Sequence, residues 1–462
     1  MSAKLNIVSS AVWIKRGVAK AKPEKVKLDH EELRQLIDNG EVHETSDDEH
    51  MESETEQNPV APSRGLRGSL SNLAASTDNQ EDKYKMDCYD NEEVADRDGL
   101  RGIACFANNK DDPYMTNVVD SDDESDAGDL ELKETDNLVA ALKCEDDESA
   151  LVCYLYNHDD KDWYVHHHYD LPSPALHVES VRYDPGSDDR RGNLAAVGSL
   201  DGDITIWDLD ILDLPEPCYT LGTPKSESAG KKKKKAKNWS GQTAVLSLAW
   251  NEQMPHVLAS GGADSQLLLW DLEKCVLSTS VGCCKEMLQS IAWHPTEKSV
   301  LLAGSMSGTL SVVDCVTMNG EIRASWDFGK KAEVNKVKWD TFNNTCAYVA
   351  CEDGYIRYVD SRVTGKEVYS VKAYDDKAVE SMALNCMVKD LFVTVGEHNL
   401  SIWKNDPTGC TLAHSEDLDL GTLHTVEFCP DIPNVLVVGG ELNGLIKPID
   451  ISLFSGVQKV FQ

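Results

Sequence analysis

The chain has 462 residues, a formal net charge of −35 and 41% apolar residues. Its length and apolar content allow a large core and exclude the small secreted scaffolds that depend on disulfide bonds, although it contains 14 cysteines. Most of the acid lies between residues 28 and 150, whereas residues 1–27 are basic. The charge is therefore mainly a property of one segment, and the scattered cysteines predict reduced thiols inside a cell.

The first apolar run, residues 7–14, is predicted to be a strand. Polar residues interrupt the run, Lys15 and Arg16 end it, and no small-residue cleavage site follows, which argues against a signal peptide. No run in the chain reaches the roughly 18 apolar residues of a membrane span. We therefore assign residues 1–17 to an N-terminal strand and expect no membrane association.

Two segments separate this strand from the rest of the chain. Asp29 followed by Glu32 is a capping-box pattern, and it predicts a short helix over residues 28–38. Residues 39–136 are rich in Asp, Glu, Ser, Asn and Gly. They offer little apolar surface to offset the entropy of ordering. They are therefore predicted to be an acidic, mostly disordered insertion.

Two serines in this insertion, Ser46 and Ser121, are each followed by Asp-Asp-Glu. An acidic residue three positions after a serine is the pattern that acidophilic kinases prefer, so both are candidate phosphorylation sites. Phosphates here would deepen the negative charge and pair with basic partner segments. The alternative is an unmodified tract that keeps the chain soluble.

From residue 137 to residue 462, a pattern of four short strands repeats. Residues 242–272 contain the clearest copy, in which Trp250 and Trp270 close the first and third runs, 20 residues apart. Six copies follow one another at a spacing of roughly 44 residues. The landmarks that close the first runs are Tyr183, Trp250, Trp293, Trp339, Leu384 and Phe428. Those that close the third runs include Trp207-Asp208, Trp270-Asp271, Val313, Val359, Trp403 and Ile449.

The turns before the third runs agree with this pattern, because Asp201-Gly202, Ser307-Gly308 and Asp353-Gly354 suit tight hairpins. A four-strand unit of this length is typical of a propeller blade, and the Trp-Asp endings resemble the WD-repeat family. The Gly-His pair usual early in such repeats is not apparent. Only two of the six endings are Trp-Asp, so the buried His and Asp network of that family is not expected in most blades.

A seventh blade is predicted from two separated segments. Residues 137–169 supply three strand-like runs, with Tyr156-Asn157 at the Trp-Asp position, but lack a first strand. The sequence SSAVW ending at Trp13 matches LSLAW and QSIAW, which end at Trp250 and Trp293. We therefore expect an all-β, seven-bladed β-propeller of the WD-repeat type, in which the N-terminal strand completes blade one around the acidic insertion. The alternative is an N-terminal tail that only lies on the surface.

A basic inter-strand loop is predicted over residues 211–241. A run of lysines there is a candidate nuclear import signal or a phosphate-contact patch for RNA or DNA, and the remaining alternative is a solvated run. Its members are Lys231, Lys232, Lys233, Lys234, Lys235 and Lys237.

No catalytic or metal site is predicted. Three consecutive histidines, residues 166–168, would alternate between the two faces of a strand and could not converge on a metal. Cys283-Cys284 and the pair Cys346 and Cys351 lack the spacing of zinc ligands. Neither a nucleophile elbow nor a Gly-rich phosphate loop is present. We expect no enzyme activity, no cofactor and no small-molecule substrate.

Beyond the repeats, the chain resembles the periodic tryptophan protein 1 family in an ordered set of motifs. They are AVWIKRGVAKAKPEKVKLDHEELRQLI, an acidic stretch, DPYMTN, DNLVAALK and DWYVHHHYDLP. The resemblance implies a nuclear and nucleolar scaffold in ribosome biogenesis and ribosomal RNA gene expression. The implied partners are nuclear proteins such as pre-ribosomal factors or histones, with possible RNA or chromatin contact. The alternative function is a chromatin-associated, histone-binding propeller that regulates transcription.

Overall fold

A computed structural model describes residues 6–25, 130–145, 148–222, 244–316, 320–442 and 446–461. The helix predicted over residues 28–38, nearly all of the insertion predicted over residues 39–136 and the lysine run lie outside the described residues, as do Ser46 and Ser121. Those predictions remain predictions.

The described chain contains 29 strands and a short C-terminal helix. The first fourteen strands form the first three blades and a small sheet of β2 and β9, and they are β1 (Asn6–Ile14), β2 (Glu24–Lys25), β3 (Asp136–Glu145), β4 (Glu148–Asn157), β5 (Asp162–Leu171), β6 (Ala175–Val181), β7 (Leu194–Ser199), β8 (Ile204–Asp208), β9 (Ile211–Leu212), β10 (Tyr219–Leu221), β11 (Val245–Trp250), β12 (Val257–Gly262), β13 (Gln266–Asp271) and β14 (Val276–Gly282). The remaining elements are β15 (Leu288–Trp293), β16 (Val300–Ser305), β17 (Thr309–Asp314), β18 (Glu321–Asp327), β19 (Val334–Trp339), β20 (Cys346–Cys351), β21 (Tyr355–Asp360), β22 (Glu367–Lys372), β23 (Ser381–Leu384), β24 (Leu391–Gly396), β25 (Asn399–Asp406), β26 (Gly409–Asp417), β27 (Leu423–Phe428), β28 (Val435–Gly440), β29 (Ile446–Asp450), the 3₁₀ turn Ile451–Leu453 and α1 (Ser455–Phe461).

Seven antiparallel sheets form the blades, in the orders β1-β3-β4-β5, β6-β7-β8-β10, β11-β12-β13-β14, β15-β16-β17-β18, β19-β20-β21-β22, β23-β24-β25-β26 and β27-β28-β29. Each first strand contacts the first strand of the next blade, and β27 contacts β1, so the seven first strands close a ring around a central channel. The predicted fold class, a seven-bladed β-propeller, is confirmed.

The burial of each strand follows its sequence and its distance from the channel. The second strands β12, β16 and β20 are short apolar runs that are almost entirely buried, because sheets pack on both of their faces. The outermost strand β22 alternates between half-buried and exposed residues, since one face meets solvent. The core therefore lies between blades, in the inner strands.

The N-terminal strand is the innermost strand of blade one. β1 pairs with β3 from Asn6↔Glu145 to Ile14↔Leu138, across the long intervening segment. Val8 packs on blade seven, where a Cβ built on Gly439 would lie 2.6 Å from its Cγ1. Glycine at that position therefore allows β1 to approach β28 closely.

Blade seven has three strands within the described residues, whereas the repeat pattern predicts four. After β29, the chain forms the 3₁₀ turn and α1, which packs on the outer strand β26 of blade six. The rings of Phe454 and His414 stack there with centroids 4.5 Å apart. Within the described residues, the chain after Asp450 therefore packs on blade six and adds no fourth strand to blade seven.

Two landmark positions are wrong in register. Trp250 pairs with Leu258, which pairs with Trp270. The equivalent chain of pairs in blade two is Ser180, Ala195 and Trp207, so Tyr183 lies three residues beyond the predicted position. The extra residues of the following turn hide this shift in the sequence, because Tyr183 is aromatic like the landmarks of the other blades.

In blade one, the equivalent chain of pairs is Trp13, Val139 and Tyr154. Tyr156, predicted at the Trp-Asp position, lies two residues further along the same strand and therefore on the same face. The strands of this blade are longer than those of the other blades, which hid the register.

The loop predicted over residues 211–241 begins later than expected. Residues 211–212 form β9, which pairs in parallel with β2, and residues 219–221 form β10, the outer strand of blade two. The basic run lies in the part from residue 223 onward, which the structure does not describe.

Candidate functional site

The tryptophans that close the first strands of the blades join neighbouring blades through hydrogen bonds. The indole of Trp293 donates a hydrogen bond to the carbonyl of Ala249 at 2.9 Å, and that of Trp339 donates to Ala292 at 3.2 Å. The indole of Trp13 donates to the carbonyl of Glu427 at 3.0 Å, which links blade one to blade seven. The indole of Trp250 instead bonds within its own blade, to Pro255 at 2.8 Å.

The tryptophans that close the third strands form hydrogen bonds within their own blades. The indoles of Trp207, Trp270 and Trp403 donate to the hydroxyls of Thr205, Ser260 and Thr394 at 3.0, 2.8 and 2.9 Å. The aspartates that follow two of them stabilise turns. Asp208 accepts the backbone N–H of Asp210 at 2.9 Å, and Asp271 accepts that of Glu273 at 3.0 Å. These landmark residues are therefore structural.

One periodic feature escaped the sequence analysis, namely a polar residue that directly follows the landmark of the first strand. Asn251, His294, Asp340 and Asn385 are buried, and each accepts two backbone N–H groups of the next turn. We call the face of the ring that carries these turns, residues 251–256, 294–299, 340–345 and 385–390, the lower face. The signal was visible in the sequence, because Asn, Asp and His recur one position after the aromatic row.

A belt of side chains around the channel also joins successive blades. Ser10 accepts the N–H of Val178 in the next blade at 3.3 Å, and Ser247 accepts that of Ile291 at 3.2 Å. His177 and Ser290 repeat this bond to Leu248 and Val337 at 3.4 and 3.1 Å. At the equivalent position blade five carries Lys336, which pairs with Ala350 as Ser247 pairs with Gly261. Lysine has no acceptor atom, so the belt is interrupted there.

Charged side chains meet inside the channel. Lys338 of blade five reaches past blade six to Glu427 of blade seven, with Nζ and Oε1 2.8 Å apart. Glu179 of blade two accepts the backbone N–H of Trp250 at 3.2 Å. Together with Lys336 and His177, these groups line a cavity of about 410 Å³. It extends to the turns of the lower face, where Glu252, His294 and Thr341 form its rim.

The surroundings of these groups shift their proton affinities. Burial raises the pKa of Glu179 to about 7 and lowers the pKa of His177 well below its ordinary value. Burial and the neighbouring charge of Lys338 lower the pKa of Lys336. Burial also opposes the charge of Lys338, but the carboxylate of Glu427 outweighs it and raises the pKa of Lys338. At neutral pH the imidazole is therefore uncharged and Glu179 is partly protonated.

The histidine prediction needs a correction. A bulge in β5 opposite Cys153 and Tyr154 interrupts the expected alternation, so His166 and His167 approach with their Nδ1 atoms 2.6 Å apart. Nε2 of His166 donates to the carbonyl of Leu130 at 3.0 Å, which leaves its Nδ1 to accept from His167. Within the described ranges, no group of three or more His, Cys, Asp or Glu residues is placed to hold a metal ion.

Two further observations concern the described residues as a whole. The twelve cysteines that the structure describes are free thiols, Cys283, Cys284, Cys346 and Cys351 among them. No helix among the described residues has the length and apolar character to cross a membrane.

The chain is similar to proteins of known family. Residues 233–271 match the model of the WD domain, G-beta repeat. Over 454 residues the chain is 30% identical to the periodic tryptophan protein 1 homolog of Drosophila melanogaster, with 98% of this chain and 94% of that protein covered. The chain belongs to the periodic tryptophan protein 1 family. The family's Saccharomyces cerevisiae member, periodic tryptophan protein 1, is 28% identical over 520 residues, with 99% and 90% covered.

The predicted family is thereby confirmed over nearly the whole length of the chain. A solved chain from the crystal structure of the mitotic checkpoint complex shares the fold, with a TM-score of 0.51 and 17% identity over 68% of this chain and 83% of that chain. For this member of the periodic tryptophan protein 1 family, the tryptophans explain the stability of the ring. The charged channel and the lower face are left as candidates for binding.

Proposed function

We propose that this chain is a non-enzymatic nuclear scaffold that acts in ribosome biogenesis and ribosomal RNA gene expression, with nucleolar localisation. The observation that carries the proposal is its similarity to periodic tryptophan protein 1 over nearly the full length of both chains. A propeller suits a scaffold, because rigid blades hold the loops of two broad faces in fixed positions.

The lower face supports a scaffold role through its cavities. A second cavity of about 690 Å³ lies between the segment after β1 and blades two and three, and Lys20, Arg182 and Asp189 contribute to its lining. It shares Trp250 and Glu252 with the channel, so the two cavities adjoin. The guanidinium of Arg182 lies 5.2 Å from the ring centroid of Trp250 and pairs with Glu252. A polar, concave surface of this kind suits a protein partner.

The proposal is tested by purifying the tagged full-length chain from nuclear extract, with and without ribonuclease. We expect pre-ribosomal proteins to copurify with it, and their loss after ribonuclease treatment would indicate assembly through RNA. The same tag on its own serves as the control. Absence of pre-ribosomal proteins from both preparations, or recovery of histones as the retained set, contradicts the proposal.

The lysine run is proposed as the nuclear import signal. Replacing Lys231 to Lys235 by glutamine removes five adjacent positive charges, and we expect a fluorescently tagged variant to lose nuclear accumulation. Replacing the exposed Lys330 and Lys331 by glutamine, in the loop between β18 and β19, provides the control and should leave import intact. If the five-lysine variant accumulates in the nucleus as the unmodified chain does, the run is not the necessary signal.

A further inference from the structure

We propose that the central channel is a binding site for one acidic side chain of a partner peptide, which enters from the lower face and pairs with Lys336. The proposal concerns the chemistry of the channel and holds whether or not the ribosomal role is correct. At the positions equivalent to Lys336, Ser10, Ser247 and Ser290 each accept a backbone N–H from the next blade. Lys336 therefore interrupts the belt. A lysine side chain cannot accept this hydrogen bond, and it contributes a positive charge to the channel.

The ammonium of Lys336 has no partner among the described residues, in hydrogen bonds or ion pairs. It is half-buried and lines the cavity. The other charges of the channel are engaged, since Lys338 pairs with Glu427 and Glu179 accepts the N–H of Trp250. A half-buried ammonium without a partner is unfavourable, and a carboxylate or phosphate brought by a ligand would supply the missing interaction.

Neighbouring groups favour an anion at this place. Nδ1 of His177 accepts the N–H of Leu248, so its neutral ring carries the proton on Nε2, a potential donor into the cavity. Because Glu179 has its pKa raised to about 7, it is partly neutral at pH 7 and repels an anion only weakly. Lys338 and Glu427 offset each other, so the channel carries a small net positive charge.

The cavity has the size and access for one side chain with its flanking backbone. Its volume of about 410 Å³ falls in the range of ligand pockets, and Trp293 and Trp339 form part of its wall. At the rim, Glu252 pairs with Arg182, and His294 is bonded through both ring nitrogens, so neither competes for the incoming group.

A peptide fits this site better than a nucleic acid. The phosphate backbone of RNA or DNA requires a continuous basic surface. The turns of the lower face instead mix basic residues, such as Arg182, Arg190 and Arg191, with acidic residues that include Asp184, Asp188, Asp189, Glu252, Glu297 and Asp390. One acidic side chain on an otherwise neutral or basic peptide is tolerated by this mixed surface and reaches the ammonium of Lys336.

The test uses the full chain and three blocked tripeptides, Gly-Glu-Gly, Gly-phosphoserine-Gly and Gly-Gln-Gly, followed through the indole N–H signals in ¹H–¹⁵N correlation spectra. We expect the two acidic peptides to shift the signals of Trp293 and Trp339 and the glutamine peptide to leave them in place. The tighter of the two acidic peptides identifies carboxylate or phosphate as the preferred group. Equal shifts with the glutamine peptide, or stronger binding of a Gly-Lys-Gly peptide, would overturn the proposal.

Two variants separate binding from folding. Lys336→Ser restores an acceptor to the belt, so we expect an unchanged or higher melting temperature and at least tenfold weaker binding of the acidic peptides. Lys336→Arg keeps the charge and should retain binding. Binding by the full chain should also strengthen several-fold from pH 8 to pH 6, because Glu179, whose pKa is raised to about 7, becomes neutral while His177 stays uncharged. Unchanged affinity in Lys336→Ser rules out this site.

Discussion

Deleting residues 1–17 should abolish the cooperative thermal unfolding of the propeller or lower its melting temperature by at least about 10 °C. The deletion removes the whole of β1, in which Val8, Ala11, Trp13 and Ile14 are buried. Each large apolar side chain contributes roughly 1.5–3 kcal/mol through burial. The combined loss is comparable with the roughly 5–15 kcal/mol by which a folded domain is stable.

The lost contacts also belong to the closure of the ring. Without β1, the edge of β3 is unpaired, and Glu427 loses the indole bond that joins blade seven to blade one. The long segment between β1 and β3 does not remove this advantage, because each doubling of a loop adds only about 0.6 kcal/mol to the cost of closing it.

Calorimetry of the full chain and of the deletion variant measures this effect. A chain that lacks only residues 1–5, which precede β1, is the matched control and should melt as the full chain does. If the deletion of residues 1–17 leaves the melting transition unchanged, the strand is not part of the structural ring, and the surface-tail alternative applies.

Trp207→Ala should lower the free energy of unfolding by about 3–5 kcal/mol. Trp207 is 1% exposed, packs against Tyr169 with the two rings tilted and their centroids 5.3 Å apart, and belongs to the core between blades one and two. Alanine leaves a cavity the size of an indole in closely packed strands, and Thr205 loses the indole donor.

Denaturant unfolding of the full chain checks this value, and two variants calibrate it. Trp207→Phe keeps most of the ring volume and loses the hydrogen bond, so its effect should be smaller, at about 1–2 kcal/mol. Trp163→Ala removes a half-buried tryptophan of the outer strand of blade one, and its effect should also be smaller. Equal destabilisation by Trp207→Ala and Trp163→Ala would contradict the assignment of Trp207 to the core.

The repeat could be predicted from the sequence where it depends on residues within one blade. Trp250 and Trp270 lie on the first and third antiparallel strands of one blade, on either side of Leu258. The turns between the strands carry Gly, Asp and Asn, which suit tight hairpins. The same logic located Trp13, because the innermost strands share one pattern. The prediction of register was wrong in blades one and two, where Tyr156 and Tyr183 are aromatic like the landmarks but lie at other positions of the strand pairing.

The candidate site was not readable in the same way. Lys338 and Glu427 are 89 residues apart in sequence, and although each directly precedes a first-run landmark, the repeat pattern does not indicate that their side chains meet. They meet because blades five and seven both face the channel and blade six presents the small Ala383 between them. The significance of Lys336 likewise depends on the belt of serines, whose bonds run between blades.

The sequence by itself determined the number of blades and the landmark tryptophans through the periodicity of the repeats, and it determined the family through the resemblance of an ordered set of motifs beyond them. Only the tertiary structure decided the strand register of blades one and two, the three strands that blade seven has among the described residues, and the gathering of charges in the channel. The physical reason is that hairpin pairing is specified by neighbouring residues. The closure of the ring brings together groups as distant as Trp13 and Glu427, which are 414 residues apart.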